Sequence, residues 1–279
     1  MSFYTPLRYP GGKARLGPWL AELMRHNRIS GGEYAEPYAG GAGAALFLLM
    51  RGFVNRVHIN DADPVVYAFW HAVTKNNARL VQLVQNTPVN MDTWNQQHEV
   101  LSRPDQHSLL RVGFATFFLN RTNRSGILAG GVIGGKRQDG PYSLDARFNK
   151  SDLIARIEAI GRMARSISIT CCDARDWMIE IELPAKSLLY LDPPYYVKGA
   201  QLYRNFYDPN DHAEIADLVL KRKSPVIVTY DDVSEIRELY RAAPAVNFSL
   251  HYSTHVSRPK ASEVMFYRNL TLPSEPRMT

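Results

Sequence analysis

The sequence predicts an α/β fold in which helices cover both faces of a mainly parallel sheet, with a mostly helical region inserted into that body. Short apolar segments alternate with helical ones along most of the chain, and strands connected in this way pair in parallel. Of the 279 residues, 45% are hydrophobic, which suffices for a large core and excludes global disorder. The alternation stops between about residues 75 and 150, which predicts the insert.

The elements before the insert follow from short apolar runs and the turns that flank them. In chain order we expect a strand at 33–39, a glycine turn at 40–43, a helix from 44 to 50, a strand at 56–60, and a helix at 64–76 that begins near Asp61 or Asp63.

The elements after the insert follow the same rules. They are a helix near 151–165, strands at 166–172 and 187–191, a helix at 211–221, a strand at 225–229, a helix at 233–241, and a terminal antiparallel pair at 251–254 and 263–267. The body is therefore predicted to comprise residues 1–74 and 151–279, and the insert residues 75–150.

The positive charge of the chain is concentrated in one stretch. Residues 103–165 carry eleven Lys/Arg and five Asp/Glu, a balance of +6 that equals the charge of the whole chain, while the remainder has 22 of each sign. Most of this stretch lies in the predicted insert, which also contains a long glycine-rich loop. A local basic block favours a polyanion-binding surface, although an ordinary solvated face would give the same pattern.

Several classes of protein are excluded. The two cysteines, Cys171 and Cys172, are adjacent, so a disulfide scaffold is excluded and a reducing cytoplasm is the natural compartment. No apolar run approaches the ~20 residues of a membrane helix, and the N-terminus lacks the apolar region of a secretory signal. The histidines show no metal-ligand spacing, so we expect no metal site.

The tetrapeptide Asp192-Pro193-Pro194-Tyr195 is the sharpest chemical signal. It follows an apolar strand, and in open α/β sheets ligands gather at the carboxyl ends of the strands. An amine at this point could donate to the Asp192 carboxylate and to the Pro193 carbonyl, and a planar base could stack on Tyr195. The alternative is a rigid turn with a surface tyrosine.

A second signal is the glycine turn that follows Glu36, in the run Pro37-Tyr38-Ala39-Gly40-Gly41-Ala42-Gly43. Such a turn lets the backbone approach a ligand closely, although many glycine turns are simply tight turns. Asp61 follows the next strand, where a carboxylate can bind a ribose diol, unless it caps the helix. Together they predict a nucleoside-containing cofactor without a pyrophosphate.

Two weaker signals remain. The turn Arg8-Tyr9-Pro10-Gly11-Gly12-Lys13 would place Tyr9 and Lys13 against a ligand, but an ordinary N-terminal turn explains it as well. Asp173 follows another strand and could accept from an adenine amino group, or could simply be a turn aspartate.

The ordered series of motifs resembles the Dam-like (D12) family of DNA adenine-N6 methyltransferases. The segments that carry the resemblance are RYPGGK at 8–13, AEPYAGGAGA at 35–44, INDADP at 59–64, LYLDPPYY at 189–196, NFYDPNDHAEIADLV at 205–219, PVIVTYDD at 225–232 and SEVMFYRNL at 262–270. They span nearly the whole chain, in the order of the group whose target-recognition region lies between the cofactor half and the catalytic motif.

The resemblance implies a Rossmann-like, class I methyltransferase fold with S-adenosyl-L-methionine as cofactor and an adenine flipped out of double-stranded DNA as substrate. The implied cofactor residues are Tyr9, Lys13, Pro37, Tyr38, Gly40, Gly41, Gly43, Asp61, Asp173 and Asp192, and the implied catalytic residues are Asp192, Pro193, Pro194 and Tyr195. The sequence after Asn120-Arg121 departs from the GATC-reading pattern, so no guanine-reading arginine is carried over. DNA contacts are expected from Arg121, Asn123, Arg124, Lys136 and Arg137.

Other functions stay open at this stage. The same chemistry could act on RNA or on N4 of cytosine, and a lapsed enzyme could serve as a DNA-binding scaffold. A protein-amide methylase usually has Asn at the position of Asp192 and needs no basic insert. The expected setting is the cytoplasm, in association with the nucleoid, with or without a cognate restriction endonuclease.

Overall fold

A computed structural model describes residues 4–9, 12–197, 207–251 and 260–277, and it contains a seven-stranded sheet of order β3-β2-β1-β4-β5-β7-β6. The strands are β1 (Glu33–Glu36), β2 (Arg56–Asn60), β3 (Ile167–Thr170), β4 (Ser187–Leu191), β5 (Val226–Asp231), β6 (Ala245–His251) and β7 (Lys260–Arg268). Strands β2, β1, β4 and β5 pair in parallel, whereas β7 runs antiparallel to both β5 and β6. The predicted mixed, mainly parallel α/β fold is confirmed.

Helices separate the strands as the alternation predicts. They are α1 (Gly17–His26), α2 (Gly43–Met50), α3 (Pro64–Lys75), α4 (Asn77–Asn86), α5 (Met91–Ser102), α6 (Leu109–Thr122), α7 (Lys150–Arg162), α8 (Ala174–Glu180), α9 (Pro209–Lys221) and α10 (Ser234–Leu239). Of the two aspartates expected near the start of α3, Asp63 is the cap, because its side chain accepts from the Val65 amide at 3.1 Å. Asp61 is thereby left for another role.

The predicted bounds of β2 and β4 are confirmed, but the first strand of the terminal antiparallel pair was placed too late in the chain. The strand predicted at 251–254 is β6, which begins at Ala245 and alternates polar and apolar residues as a half-buried strand does. Residues 252–254 lie outside the described part of the chain. The partner predicted at 263–267 lies within β7.

The chain divides into two compact units, which we call the helical unit and the sheet unit. The helical unit comprises Met1–Gly12 and Asp63–Ile169, and the sheet unit comprises Lys13–Ala62 and Thr170–Thr279. The insert predicted at 75–150 lies within the helical unit, which also takes α3, α7 and the N-terminal residues.

The helical unit is built on the pair α3 and α6. Gly113 lets these helices approach closely, since a Cβ there would lie 2.4 Å from the Ala68 carbonyl oxygen. The apolar centre of the pair is formed by Val65, Ala68, Val100, Val112 and Ala115. After α6 the chain turns back through a bridge between Asn123 and Val132 into the glycine-rich loop.

The core of the sheet unit lies between the sheet and helices α8, α9 and α10. All five side chains of β4 are buried, as are the first five of β5. Because β1, β2, β4 and β5 are parallel, their carboxyl ends meet at one edge of the sheet, and polar residues follow there: Glu36, Asn60, Asp192 and Asp231. Among the described residues, no helix has the length and apolar character needed to cross a membrane.

Candidate active site

A buried ion pair joins the N-terminal motif to the tetrapeptide after β4. The Lys13 ammonium lies 2.8 Å from both Oδ1 and Oδ2 of Asp192 and 3.5 Å from Oε2 of Glu263. The Lys13 side chain is only 3% exposed. Burial acts to lower the pKa of Lys13, but the charges of Asp192 and Glu263 outweigh it and hold that pKa well above its ordinary value. Lys13 is therefore a fixed positive charge beside Asp192.

A second hydrogen bond fixes the Asp192 carboxylate from the neighbouring strand. The Thr229 hydroxyl in β5 donates to Asp192 Oδ1 at 2.8 Å, and Tyr190 lies 2.9 Å from the same hydroxyl. Oδ1 therefore accepts from both Thr229 and Lys13, whereas Oδ2 accepts from Lys13 alone within the described residues. The Asp192 side chain is 22% exposed, so its carboxylate remains accessible.

Tyr195 is held at its hydroxyl end. The phenol donates to Oε1 of the buried Glu263 at 2.5 Å, and the Lys13 ammonium lies 5.9 Å from the centre of the ring. The turn that follows is fixed by Asp231, whose carboxylate oxygens accept from the amides of Tyr196 at 3.0 Å and Val197 at 3.3 Å. The structure thus brings Lys13, Asp192 and Tyr195 together around two carboxylates, Asp231 and Glu263, that the sequence analysis did not single out.

Glu36, the last residue of β1, is a buried carboxyl group near this pair. It accepts from the Tyr34 hydroxyl at 2.7 Å. Burial raises the pKa of Glu36 to about 8, and the Asp192 charge acts in the same direction. Glu36 therefore carries a proton through most of the neutral range and adds little negative charge beside Asp192.

The glycine turn lies beside Asp61, as the sequence predicts. The Gly40 amide donates to Asp61 Oδ2 at 2.8 Å, and Gly40 has the positive φ of 44° that favours glycine. Asn60 stabilises the start of the turn, because its buried side-chain amide donates to the carbonyls of Pro37 at 3.1 Å and Cys172 at 2.9 Å. The hydrogen bond from the Gly40 amide holds the half-buried Asp61 carboxylate beside the turn.

The other members of the turn have structural contacts. Gly43 begins α2, and a Cβ there would lie 2.6 Å from Ala14 Cβ, so glycine permits this close packing. Gly41 and Pro37 are buried. Tyr38 donates its hydroxyl to that of Tyr207 at 3.1 Å, in an edge-to-face pair of rings.

Asp173 is engaged by an arginine. Its side chain caps α8 by accepting from the Arg175 amide at 2.8 Å, and both of its oxygens also accept from the Arg175 guanidinium. Burial acts to raise the pKa of Asp173, but the hydrogen bonds and charge of Arg175 outweigh it and lower that pKa. Arg175 also pairs with Asp211 and Glu214, so Asp173 belongs to a network of three carboxylates around one guanidinium.

The structure assigns the two halves of the N-terminal motif to different units. Lys13 is in the sheet unit, whereas Tyr9 and Arg8 are in the helical unit. The buried Asn120 holds Arg8 there: it accepts from the Arg8 amide at 2.7 Å and donates to the Arg8 carbonyl at 2.7 Å. Gly126 packs closely against the same segment: a Cβ there would lie 2.2 Å from the Arg8 carbonyl oxygen, so a side chain does not fit.

Four arginines of the helical unit form what we call the arginine cluster: Arg8, Arg121, Arg147 and Arg156. The Arg121 guanidinium donates to the Arg147 carbonyl at 2.7 Å, and Arg156 donates to the Thr5 carbonyl at 3.0 Å. Burial and the charges of Arg8 and Arg156 lower the pKa of Arg121 to about 10. One carboxylate, Asp152, pairs with Arg156 at 2.8 Å, and within the described residues the other three guanidiniums have no ion-pair partner.

The remaining predicted DNA contacts fall into two groups. Arg124, Lys136 and Arg137 are exposed on the glycine-rich loop, and Arg137 pairs with Asp139 at 3.0 Å. Asn123 is instead fully buried, accepting from the Trp94 indole at 2.7 Å and donating to the carbonyls of Ile127 and Leu128. Its side chain shapes the loop from within and does not reach the surface.

The residues that the sequence analysis overlooked mostly lie inside segments it had quoted. Glu36 precedes the glycine turn, Thr229 and Asp231 belong to PVIVTYDD, and Glu263 belongs to SEVMFYRNL. A polar residue inside an apolar strand was the available signal. Within the described residues, no group of three or more His, Cys, Asp or Glu side chains is arranged to hold a metal ion.

A family model described as D12 class N6 adenine-specific DNA methyltransferase matches residues 9–257. The chain belongs to this family. It is therefore an S-adenosyl-L-methionine-dependent enzyme that methylates N6 of adenine in DNA, as the resemblance implied. No curated protein matches the sequence.

Solved structures of other methyltransferases align with this chain at low identity and with TM-scores below 0.5. A candidate RNA methyltransferase of Pyrococcus horikoshii aligns with a TM-score of 0.45 and 10% identity over 94% of this chain and 85% of its own. A candidate class I S-adenosylmethionine-dependent methyltransferase of Listeria monocytogenes gives 0.41 and 11% over 95% and 62%. The precorrin-6y C5,15-methyltransferase of Geobacter metallireducens gives 0.36 and 9% over 89% and 85%.

Proposed function

We propose that this D12 enzyme acts on an adenine turned out of double-stranded DNA, and that Asp192, Pro193, Pro194 and Tyr195 form the pocket for that base. The observation that carries the proposal is the Asp192 carboxylate, fixed at the carboxyl end of β4 by Lys13 and Thr229 at 2.8 Å each. A carboxylate held from two sides is a pre-oriented acceptor for an exocyclic amine. A base inside a duplex could not reach it, so the nucleotide must leave the stack.

The chemistry explains why the amine must be oriented. The N6 lone pair is delocalised into the adenine ring, so the amine is a poor nucleophile. Hydrogen bonds from the two N–H groups to Asp192 and to the Pro193 carbonyl would localise that lone pair on nitrogen. Oδ2 of Asp192 is the acceptor for the amine, because it accepts a hydrogen bond from Lys13 only, whereas Oδ1 already accepts from both Lys13 and Thr229. The acceleration would come from positioning and electrostatics.

The proposed cofactor residues suit S-adenosyl-L-methionine, which supplies a methyl group on a cationic sulfur. Asp61, fixed by the Gly40 amide, offers a carboxylate for the ribose hydroxyls. The Asp192 carboxylate, whose side chain is 22% exposed, offers a negative group for the cationic sulfur. The buried Pro37, Gly40 and Gly41 form the backbone of the cradle, with Tyr38 beside it.

Asp173 and Tyr9 have less support as cofactor residues. An adenine amino group at Asp173 would have to share its acceptors with Arg175. Tyr9 is a member of the helical unit, and we propose no contact for it beyond the one that the family resemblance implies.

We propose the helical unit as the DNA-recognition region. The arginine cluster gathers four guanidiniums around one carboxylate, an arrangement that mutual repulsion disfavours unless an anion compensates it. DNA phosphates are the anions that this family's substrate supplies. Arg124, Lys136 and Arg137 are exposed on the loop beyond α6 and are available for phosphate or base contacts.

The test is transfer of tritium from labelled S-adenosylmethionine to DNA of mixed sequence, with separation of the product nucleosides. Wild-type protein should label N6-methyladenine. Asp192→Ala should abolish the label, and calorimetry should still detect cofactor binding, weakened by the loss of the Asp192 carboxylate, because Asp61 and the glycine turn remain. Glu33→Gln is the matched control: it alters a strand carboxylate at the opposite end of β1, where Glu33 pairs with His58, and should leave the rate unchanged.

Other outcomes would change the proposal in defined ways. Label in N4-methylcytosine would keep the site and change the base. Label in RNA but not in DNA would contradict the substrate, and Asp192→Ala with wild-type activity would contradict the site. Sequencing the methylated positions would give the recognised bases.

A further inference from the structure

Glu263 is a buried carboxylate in the middle of β7, where it lies opposite Asp231 of β5. It is 1% exposed, and the residues that follow it, Val264 to Phe266, are buried apolar side chains. Strand pairing uses only the backbone of β7, so the sheet itself gives no reason for a carboxylate here. Burying a charge is costly unless the charge is paired and hydrogen-bonded.

The two oxygens of Glu263 contact the two residues that flank Asp192. Oε1 accepts from the Tyr195 hydroxyl at 2.5 Å, and Oε2 lies 3.5 Å from the Lys13 ammonium. Lys13 in turn binds both oxygens of Asp192 at 2.8 Å. A continuous path of contacts thus runs from Tyr195 through Glu263 and Lys13 to Asp192. Its members come from the N-terminus, from the segment after β4 and from β7.

We propose that Glu263 is a positioning residue for methyl transfer, which fixes the ring of Tyr195 and the ammonium of Lys13 relative to the Asp192 carboxylate. The inference rests on the proposed role of Tyr195 as the surface on which the adenine stacks. A tyrosine ring rotates about two side-chain bonds, and the terminal one is broad in energy. A hydrogen bond at the far end of the ring fixes the position of the hydroxyl. Because a phenol O–H prefers to lie in the ring plane, the direction of that bond also favours one ring orientation, so the stacking surface is set before the base arrives.

The position of the ring matters because the amine must be held in line with the methyl group. A misplacement of about 1 Å can lower a rate about a hundredfold without any change in the reacting groups. Glu263 itself touches neither base nor cofactor in this scheme. Its removal should therefore lower kcat while leaving cofactor affinity nearly unchanged, because Lys13 keeps its closer contacts with Asp192.

The experiment is a double-mutant cycle between Glu263→Gln and Tyr195→Phe, with kcat and KM measured on DNA that contains the methylated site. The amide of Glu263→Gln keeps the shape but removes the charge, and Tyr195→Phe keeps the ring but removes the hydroxyl. Each single change should lower kcat about tenfold, near the lower end of the effect expected for loss of a hydrogen bond to a charged group. The double variant should be no slower than about threefold below Tyr195→Phe, because Glu263→Gln weakens the same charge-assisted hydrogen bond that Tyr195→Phe removes.

Several results would overturn the inference. If the two effects multiply to about a hundredfold, Glu263 does not act through the Tyr195 hydroxyl. Wild-type kcat in Tyr195→Phe would also contradict it, and this variant leaves the buried charges in place if Glu263→Gln fails to fold. A loss confined to the unfolding midpoint, with kcat per folded molecule unchanged, would make Glu263 purely structural.

The same measurements separate this inference from the proposed function. No methyl transfer by the wild-type chain would refute the function, whereas an active wild-type chain with independent effects at residues 263 and 195 would refute only the role of Glu263. Glu33→Gln again serves as the control, since it neutralises a strand carboxylate that has a hydrogen-bond partner but no contact with Lys13 or Tyr195.

Discussion

Replacement of Lys13 by methionine should destabilise the sheet unit strongly. Methionine preserves most of the side-chain volume but removes the ammonium that lies 2.8 Å from Asp192 and 3.5 Å from Glu263. At 2.8 Å and an effective dielectric constant of about 20, the Coulomb attraction of one such pair is about 6 kcal/mol. Desolvation of the ammonium offsets part of this attraction, and breaking one partner of a buried pair typically costs about 3–5 kcal/mol.

The exposure of the partners places the expected loss within that range. Glu263 is almost fully buried, but the Asp192 side chain is 22% exposed, so water can partly compensate that carboxylate. We therefore expect a loss of about 3 kcal/mol in the free energy of unfolding. Lys221→Met is the matched control: its pair with Asp217 is exposed at 74% and 58%, and it should cost less than about 0.5 kcal/mol.

The assay is urea unfolding of each variant, followed by circular dichroism at pH 7 and pH 9. The pKa of Lys13 is raised in the folded protein, so its stabilisation is fully present below the unfolded pKa and is lost only as the pH rises through the folded value. Both values lie above pH 9, so the deficit of Lys13→Met should not shrink between the two pH values, and ionisation of Glu36 near pH 8 can only enlarge it. A deficit below about 1 kcal/mol, or one that shrinks between pH 7 and 9, would refute the ion-pair argument.

Three further predictions follow from other contacts. Because the pKa of Glu36 is raised to about 8, wild-type stability should fall as the pH rises from the unfolded value of 4.5 toward 8, at up to about 1.4 kcal/mol per pH unit. Glu36→Gln should flatten this slope in urea unfolding. An unchanged slope would mean that another group causes the pH dependence. Gly126→Ala combines a φ of +78° with a Cβ 2.2 Å from the Arg8 oxygen and should cost about 2–4 kcal/mol of stability in thermal unfolding. Gly135→Ala, with a φ of +76° and no atom near the new Cβ, should cost about 1 kcal/mol. Equal losses would mean that the contact with Arg8 is unimportant. Arg147→Gln should weaken binding to all DNA sequences and reduce the slope of log affinity against log salt concentration by about 0.9. Arg241→Gln, on an exposed helix end, should do neither. A loss of affinity confined to one DNA sequence would instead indicate base contact.

The sequence predicts local elements and the edge of the sheet where the chemistry lies. The bounds of β2 and β4 follow from apolar runs that end at a polar residue, and the carboxyl ends of parallel strands bring Asp192 near the glycine turn. It does not predict which charges pair. Lys13 and Asp192 are separated by 179 residues, and only the packed sheet brings Glu263 between Lys13 and Tyr195. The same limit applies to Asn123, since its polar side chain suggests a surface position but its partners are the Trp94 indole and two carbonyls.

The helical unit is assembled from two separate stretches of sequence, Met1–Gly12 and Asp63–Ile169. With target recognition assigned to this unit, as proposed above, the discontinuity constrains how the enzyme could acquire a new target sequence. A cassette of residues 63–169 taken from a relative would arrive without its own N-terminal dodecapeptide, and its counterparts of Asn120 and Gly126 would have to accept a foreign Arg8 segment. Specificity in such a chain cannot be shuffled as one uninterrupted block. The two stretches must be exchanged together, or must change in step by point mutation.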